Sequence, residues 1–510
     1  TFHIPVTITR DYNNQILPIF IEAYLNMTKS TTSLVNMTAN EVVGLLKRNK
    51  VSPTELLDAL QERISEVDSK VNALPTLCWE RAYKDADKIS NLSSDERGVL
   101  AGLPVAIKDL NPVSGVRSTW GSPIYSDFVP TRSDCLVENL EKEGGIVYAK
   151  TNTPEFGAGA NTFNEVFGAT LNPWDTTKSC AGSSGGSAVA LATGQAWLAS
   201  GSDLGGSLRN PASFCSVVGF RPSPGRVAYG AAGAGAYPSG LYSIPGQPFS
   251  VAGPMARTVS DVALFLDALV GTHPADPISL PKTEESYLNA VNNPRRPTKV
   301  AFSPDLGVTP VDKEVADICR KAAEVFEDLG CVVEEAHPDF SDVQDIFQTW
   351  RAISFYVSKK ELLDNQKDLL KPEVIWNIEK ASEITVDDFA RIELARGRYL
   401  ARANEFFQDY DLLLCPATVV PPYPVEQRFV ESLGDHKFSN YVEWLTIAYA
   451  ITLTGHPALS IPAGFTEAGL PVGLQMVGGP RGEASLLMAA ELYEKASSIE
   501  FGVPIDPITP

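Results

Sequence analysis

The chain has 510 residues, of which 44% are hydrophobic and 20% are charged, so it can bury a sizeable core. Its formal net charge of −20 at pH 7 would repel phosphate backbones, which argues against nucleic-acid binding. No apolar run reaches the roughly 18 residues of a membrane span.

The N-terminal segment differs from the rest of the chain. It begins with Thr1 instead of methionine, and Met27 and Met37 are candidates for a natural start. We interpret residues 1–36 as an N-terminal extension of foreign or processed origin. Residues 37–510 are predicted to form a single domain, because the motifs described below are expected to belong to one sheet.

Helix and strand signals follow this segment. Thr38 and Ser52 each begin a Ser/Thr-x-x-Glu pattern, and such capping boxes predict that two helices start there. The apolar run LPVAI then ends at Lys108, which predicts a buried strand with one ammonium group at its end. Because an isolated buried charge is costly, Lys108 should be either paired or deprotonated.

Two clusters of glycine and serine follow, separated by the small apolar run AVALATG. The first reads GSSGGS and contains Ser183, and the second reads DLGGS and ends at Ser207. Glycines permit tight turns and leave backbone N–H groups uncovered, which is how a main-chain oxyanion hole is built. The pattern therefore indicates a nucleophilic serine rather than a flexible linker.

A nucleophilic serine needs a base. Three of the five histidines stand in loop-like contexts, far along the chain from either cluster. A desolvated lysine is an alternative, because it can be neutral near pH 7 and accept a proton. Lys108 is the candidate for this role.

The first cluster also fits the G-x-S-x-G pattern of α/β-hydrolases, with Ser184 as the nucleophile. That pattern requires a strand just before the serine. The segment from Asn172 to Ser179 is polar and predicts a loop, so this alternative is disfavoured.

Together these features resemble the amidase signature family, whose pattern joins a lysine after an apolar run, a GSSGGS cluster and a [ST]-D-x-G-G-S-[IL]-R cluster. In particular, the chain resembles bacterial amidases of the aryl-acylamidase and urethanase kind. The resemblance extends from about Thr38 through GFRPSPGR to the C-terminal segments DLLLCP and GHPALSIPAG. Ala181 stands where the family usually has glycine, and Ser202 and Leu204 replace commoner residues.

The resemblance implies three catalytic side chains. Ser207 would be the acyl-forming nucleophile, Ser183 a bridging serine with an unusual cis peptide, and Lys108 the base. Such an enzyme would hydrolyse carboxylic amides through a covalent acyl-enzyme.

Backbone groups and further side chains complete the expected site. The oxyanion would be received by the N–H groups of Leu204, Gly205, Gly206 and Ser207. Supporting side chains are expected at Ser184, Asp203 and Arg209. The two charged ones are predicted to form an ion pair that fixes the loop, and the alternative is that both are solvated.

Over the rest of the chain, short apolar runs alternate with helical patterns. This alternation predicts an α/β/α sandwich around a large, mostly parallel mixed sheet, as the resemblance also implies. Residues 340–408 break the alternation, because they are rich in helix formers and aromatic residues. We expect them to form a helical insert or cover over the site.

The loop from Tyr229 to Tyr242 is small and aromatic, which suits an apolar acyl or aryl group. Aryl amides, anilides, and carbamates including urethanes are all within reach of the implied chemistry, with esters as side substrates. The alternative function is that of the glutamine amidohydrolase subunit of a tRNA-dependent amidotransferase. That subunit usually has a Leu-Asp-Gln-type segment where this chain has GQPFSVAGP, so its acidic anchor for an amino acid is missing.

The seven cysteines show neither C-x-x-C pairing nor metal-type spacing. We interpret them as free thiols in a reducing, cytoplasmic compartment. No metal or other cofactor is expected. The expected partner is a small amide substrate, and a homodimer stays an open alternative.

Overall fold

The computed structural model describes residues 31–244 and 246–510. Within these ranges no helix is both long enough and apolar enough to cross a membrane. Residues 1–30, most of the predicted N-terminal extension, lie outside the described part of the chain.

Residues just before Met37 pack against the rest of the described structure. Leu34 and Val35 are buried in the main hydrophobic core. Trp197 donates its indole N–H to the Leu34 carbonyl at 3.3 Å, and Arg257 Nη2 donates to the Val35 carbonyl at 3.1 Å. Leu34 and Val35 therefore pack as part of the main body, although they precede Met37.

An eleven-stranded sheet forms the centre of the described structure. In spatial order its strands are β1 (Thr76–Leu77), β3 (Ile146–Thr151), β2 (Pro104–Lys108), β8 (Leu198–Asp203), β10 (Val251–Ala256), β9 (Val218–Arg221), β16 (Ala458–Phe465), β17 (Pro471–Gly478), β13 (Leu412–Pro416), β11 (Lys299–Phe302) and β12 (Val332–Glu335). Three small ribbons are formed by β4 (Phe163–Asn164) with β5 (Gly168–Ala169), β6 (Leu171–Asn172) with β7 (Asp175–Ser179), and β14 (Ser432–Leu433) with β15 (His436–Lys437).

Parallel and antiparallel strand pairs occupy different regions of the sheet. Parallel pairs lie toward its two sides, where β2 pairs with β3 and β8, and β11 pairs with β12 and β13. The other six pairs, including the five in the middle from β8 to β13, are antiparallel. A short turn joins β16 to β17, and such a connection permits only antiparallel pairing. The predicted α/β fold around a large mixed sheet is confirmed, with its parallel pairs confined to these two regions.

Fifteen α-helices are found in the described residues. They are α1 (Thr31–Asn36), α2 (Ala39–Lys47), α3 (Pro53–Val71), α4 (Trp79–Ser90), α5 (Cys135–Lys142), α6 (Gly185–Ala192), α7 (Arg209–Cys215), α8 (Val259–Leu269), α9 (Tyr287–Asn292), α10 (Lys313–Asp328), α11 (Val343–Gln366), α12 (Pro372–Lys380), α13 (Val386–Asp409), α14 (Thr446–Thr454) and α15 (Glu483–Ala496). Thr38 and Ser52 cap α2 and α3 with complete capping boxes, as predicted.

The sheet separates two hydrophobic layers, because consecutive side chains on a strand point to opposite faces. On β13, Leu412 and Leu414 pack in a core that also contains side chains of α10 and α15. Leu413 and Cys415 pack in a second core with side chains of α11, α13 and α14. Helices therefore cover both faces, which is the arrangement of a sandwich.

Helices α11, α12 and α13 occupy the segment predicted to cover the site. Phe355 and Val374, from α11 and α12, share a third cluster with Trp120 and Phe156, which lie in the loops after β2 and β3. The helices thus pack over the ends of the strands that carry the expected catalytic residues. The division of the chain into domains stays a prediction.

Candidate active site

Lys108 lies at the end of β2 and is fully buried. Its Nζ atom is 2.7 Å from Ser183 Oγ, 2.8 Å from Ser184 Oγ and 3.0 Å from Ser202 Oγ. Each of these partners is a hydroxyl, which can donate or accept a hydrogen bond. The same three contacts therefore satisfy either an ammonium group or a neutral amine.

Burial lowers the pKa of Lys108 well below its usual value, and the charge of Asp203 opposes this effect only in part. No salt bridge to Lys108 is found among the described residues. Because nothing compensates the ammonium form at close range, the environment favours the neutral amine that a general base requires.

Ser183 is held in the loop that precedes α6, and the Gly182–Ser183 peptide bond is cis. The backbone at the start of α6, directly after this loop, passes very close to its neighbours. A Cβ atom on Gly186 would lie 2.3 Å from the backbone nitrogen of Asn152, so no larger residue fits there. Ser184 N–H donates to the Ser207 carbonyl at 3.2 Å, which joins the two serine clusters directly.

Ser207 lies in the loop between β8 and α7. The turn needs Gly206, whose φ of 103° lies in a region that favours glycine. Ser207 and Ser183 line the same cavity. The Ser207 hydroxyl makes no hydrogen bond to a described residue, so it is available to a molecule in that cavity.

One of the four backbone N–H groups expected to bind the oxyanion already has a hydrogen-bond acceptor within the protein. Gly206 N–H donates to Asp203 Oδ1 at 3.0 Å, so this group already has an acceptor. No acceptor is found in the described structure for the N–H groups of Leu204, Gly205 and Ser207, and all three residues line the cavity. These three remain candidates for binding an oxyanion.

Asp203 organises the loop. Arg209 donates to it from Nη2 at 2.8 Å and from Nε at 3.0 Å, and both side chains are fully buried. Arg221 Nη1 donates to the Asp203 carbonyl at 2.6 Å. Burial alone would raise the pKa of Asp203, but the two arginines hold it well below the usual value. The geometry therefore contradicts the alternative of solvated charges.

Arg209 also ties the loop to the C-terminal part of the sheet. Its Nη1 donates to the Ala448 carbonyl at 2.7 Å and to Gln475, and its Nη2 donates to Thr452 Oγ1 at 3.0 Å. The position of Ser207 therefore depends on α14 and β17 as well as on its own loop.

We predict that Asp203→Asn destabilises the protein by about 3–5 kcal/mol, because it leaves two buried guanidinium groups without a counter-charge. Urea unfolding followed by tryptophan fluorescence measures the change. Asp364→Asn is the control, since it removes an exposed ion pair with Lys360 and should cost less than about 1 kcal/mol. Equal effects of the two substitutions would contradict the role assigned to Asp203.

The sequence interpretation missed the roles of two residues near the site, Ser202 and Arg221. Ser202 was noted only as a departure from the family pattern, yet its hydroxyl contacts Lys108. Arg221 lies in the quoted GFRPSPGR segment, but its role as a second partner of Asp203 depends on β8 and β9 meeting in the fold. No pattern local to either residue could have shown this.

Ser184 is not placed as a nucleophile would be. It is fully buried, it does not line the cavity, and its hydroxyl contacts Lys108 Nζ and Ser202 N–H. The segment before it contains strand β7 instead of the predicted loop. This strand belongs to a small ribbon and not to the main sheet, so the hydrolase-type turn is not formed.

Other candidate groups do not reach the site. No histidine among the described residues lines the cavity, and burial lowers the pKa of His456 to about 4. Burial raises the pKa of Cys180 to about 12, so it stays a thiol. All seven cysteines are free, as predicted, and no cluster of metal-ligating side chains is found among the described residues.

The cavity beside Ser207 has a volume of about 160 Å³. Much of its wall is aromatic, from Trp120, Phe156, Tyr229, Tyr237, Tyr242, Phe347, Phe355 and Tyr441. The part contributed by α11 shows that the helical cover forms one side of the site.

The fold and the site together define an amide hydrolase of the amidase signature class. The chain belongs to the Amidase family, since residues 55–487 match the sequence model of that family. The resemblance inferred from the lysine and the two serine clusters is therefore confirmed.

Known proteins similar to this chain include two kinds of relative. An acylamidase from Rhodococcus erythropolis is 34% identical over 90% of this chain and 95% of its own length. A glutamyl-tRNA(Gln) amidotransferase subunit from Moorella thermoacetica is 33% identical over 91% of this chain and 97% of its own length. Among solved structures, a bacterial aryl acylamidase of the amidase signature family superimposes with a TM-score of 0.82 at 28% identity, covering 90% of this chain and 96% of that one.

Proposed function

We propose that this protein is a self-sufficient amidase that acts on apolar or aryl amides through an acyl-enzyme at Ser207. The observation that carries the proposal is the 2.7 Å contact between Lys108 Nζ and Ser183 Oγ, with Ser183 and Ser207 on one cavity. In this mechanism Lys108 is the base, Ser183 passes the proton and Ser207 attacks.

In the first half of the reaction, neutral Lys108 accepts the proton of Ser183, and Ser183 accepts that of Ser207. The Ser207 oxygen then bonds to the amide carbonyl carbon, and the oxyanion is bound by the free N–H groups of the loop. The proton returns from Lys108 through Ser183 to the leaving nitrogen as the C–N bond breaks. In the second half, water passes its proton along the same path to Lys108 and attacks the acyl carbonyl carbon. The proton then returns through Ser183 to the Ser207 oxygen as its bond to the acid breaks.

The aromatic lining of the cavity supports an apolar acyl or aryl group as the preferred substrate part. The names of two similar proteins, an acylamidase and an aryl acylamidase, also favour a substrate with an acyl or aryl group. The same steps apply to carbamates, including urethanes, and to esters, because each presents a carbonyl with a leaving group.

The second candidate function is glutamine hydrolysis as part of an amidotransferase, which the similarity to the Moorella thermoacetica protein favours. Free glutamine carries an α-ammonium group that needs an acidic partner. No Asp or Glu side chain lines the cavity in the described part of the chain. This observation favours the self-sufficient amidase.

A hydrolysis screen of the purified chain tests the proposal against the alternative. The substrates are 4-nitroacetanilide, short aliphatic amides, an aryl carbamate and glutamine. We expect turnover of the anilide without any added protein. Glutaminase activity that depends on partner subunits, with no anilide turnover, would overturn the proposal.

We predict that Ser183→Ala lowers amide turnover by about 10²–10⁴-fold, because it removes the proton path between base and nucleophile. In the wild-type protein, a fluorophosphonate probe should react with Ser207, and mass spectrometry of the labelled peptide identifies the residue that carries the adduct. An adduct on Ser183 or Ser184 instead would reverse the assigned roles.

A further inference from the structure

The charges that line the cavity all have the same sign. Apart from the reacting groups, Arg351 and Lys359 line it, whereas no acidic side chain does so in the described residues. The whole chain has a formal net charge of −20, so a purely cationic lining goes against its overall composition. A cavity of this kind attracts anions.

One face of α11 carries these cations. Phe347, Arg351, Phe355 and Lys359 are spaced by four residues, which places them along a single side of the helix, and all four line the cavity. Phe347 packs beside the nucleophile loop, since its ring would lie 3.2 Å from a Cβ atom on Gly205. The two cations thus lie progressively farther along α11 from that loop, over a total rise of about 18 Å from Phe347 to Lys359.

Arg351 is buried, but neutral groups satisfy its hydrogen bonds. Nε donates to Asn377 Oδ1 at 3.0 Å and Nη2 donates to Tyr441 Oη at 3.0 Å. No carboxylate lies within ion-pair distance of its guanidinium among the described residues. These contacts fix the orientation of Arg351 and leave its charge without a partner.

Lys359 is held in a similar way. Its Nζ donates to Ser358 Oγ at 2.8 Å and lies 4.6 Å from the centre of the Phe355 ring, which Arg351 also contacts at 4.7 Å. An ammonium group has three N–H donors, so two are left for a ligand. Burial and the charge of Arg351 lower the pKa of Lys359 to about 7, although the charge of Glu155 opposes them.

The acidic groups nearby are already engaged. Glu155 accepts from Ser122 Oγ at 2.6 Å and from Lys371 N–H at 2.8 Å, and it forms no ion pair with Lys359. Nearby, Lys371 of the helical cover and Arg428, which follows the cover along the chain, share Glu373. Arg351 and Lys359 differ from those cations because no carboxylate of the described residues forms an ion pair with either of them.

We propose that Arg351 and Lys359 bind a carboxylate of the substrate, at a distance from the scissile bond and across an apolar spacer. Phe347 and Phe355 would contact the spacer, and the two cations would select substrates that end in a carboxylate over uncharged ones. The inference rests on the proposed hydrolysis of amides at Ser207, and it specifies the class of amide.

Two matched substrate pairs test the proposal on either side of the scissile bond. Glutaric acid mono-4-nitroanilide is compared with pentanoyl 4-nitroanilide, and 4-acetamidobenzoate with N-(4-methylphenyl)acetamide. We expect at least one carboxylate to have a kcat/KM about tenfold higher than its neutral counterpart, mainly through a lower KM, as for a hydrogen bond to a charged group. A ratio of one or less in both pairs would overturn the inference.

Substitutions then assign the preference to the two cations. Lys359→Met and Arg351→Met should each bring the ratio for the preferred pair close to one. Lys360→Met is the matched control, because Lys360 is the next residue on α11 but pairs with Asp364 and does not line the cavity. A ratio unchanged by Lys359→Met, or reduced equally by Lys360→Met, would contradict the proposal.

Binding to an inactive variant separates this inference from the proposed function. Calorimetry with Ser207→Ala compares the glutaric acid anilide with the pentanoyl anilide without any turnover. Tighter binding of the carboxylate, lost when Lys359→Met is added, would support the anion site even if the wild-type protein hydrolysed neither anilide. Equal binding of the two ligands would overturn the inference while leaving amide hydrolysis intact.

Discussion

Ser207→Ala is expected to lower kcat for amide hydrolysis by at least about four powers of ten, because it removes the atom that forms the acyl-enzyme. The fold should be retained, since the Ser207 hydroxyl makes no hydrogen bond to a described residue and its removal breaks no internal contact. Steady-state rates on the substrate that emerges from the hydrolysis screen measure the effect, and circular dichroism checks the fold.

A second cavity-lining serine provides the comparison for this variant. Ser250→Ala removes a hydroxyl from the wall of the same cavity, but not from the proposed proton path. It should retain a rate far above that of Ser207→Ala. If Ser207→Ala kept more than about a tenth of the wild-type rate, Ser207 would not be the nucleophile.

Lys108→Ala is expected to lower amide turnover by about 10²–10⁴-fold, since general-base catalysis typically contributes that much. Ester turnover should suffer less, because an alkoxide leaves without the protonation that an amine requires. Lys108→Arg should not restore activity, because a guanidinium group stays charged and cannot accept the proton. Parallel assays with an amide and an ester of the same acyl group measure the difference.

The pH dependence follows from the direction of the pKa shift. Burial lowers the pKa of Lys108, so the amine is neutral above that lowered value and protonated below it. Activity should therefore be present at neutral and mildly alkaline pH and fall as the medium becomes acidic. If Lys108→Ala kept near-normal amide turnover while His456→Ala abolished it, a different base would be required.

The sequence was sufficient to predict the parts of the site that depend on local patterns. Lys108 follows a strand-like apolar run, and the glycines around Ser183 and Ser207 predict tight turns, so the local structure around these residues could be predicted from the chain. The same holds for the α/β alternation, because periodicity reports which faces are buried.

Features that depend on which segments meet could not be predicted. β8 pairs with β10, and Arg221 contacts Asp203. In both cases the two partners are distant along the chain, and no local sequence pattern indicates that they meet. The Gly206 N–H was expected to be free, but the Asp203 side chain folds back to accept from it. The cationic face of α11 could not be predicted either, because basic residues in a helix are ordinarily exposed to solvent.

The contacts of Arg209 with Ala448, Thr452 and Gln475 also bear on how the protein becomes active during its synthesis. Lys108, Ser183 and Ser207 all precede these three partners along the chain, so a nascent chain contains the reactive residues first. The acceptors that hold the nucleophile loop belong to α14 and β17, which are synthesised after Ser207. We therefore expect that a fragment that stops before β17 has the reactive groups but not the support that aligns them.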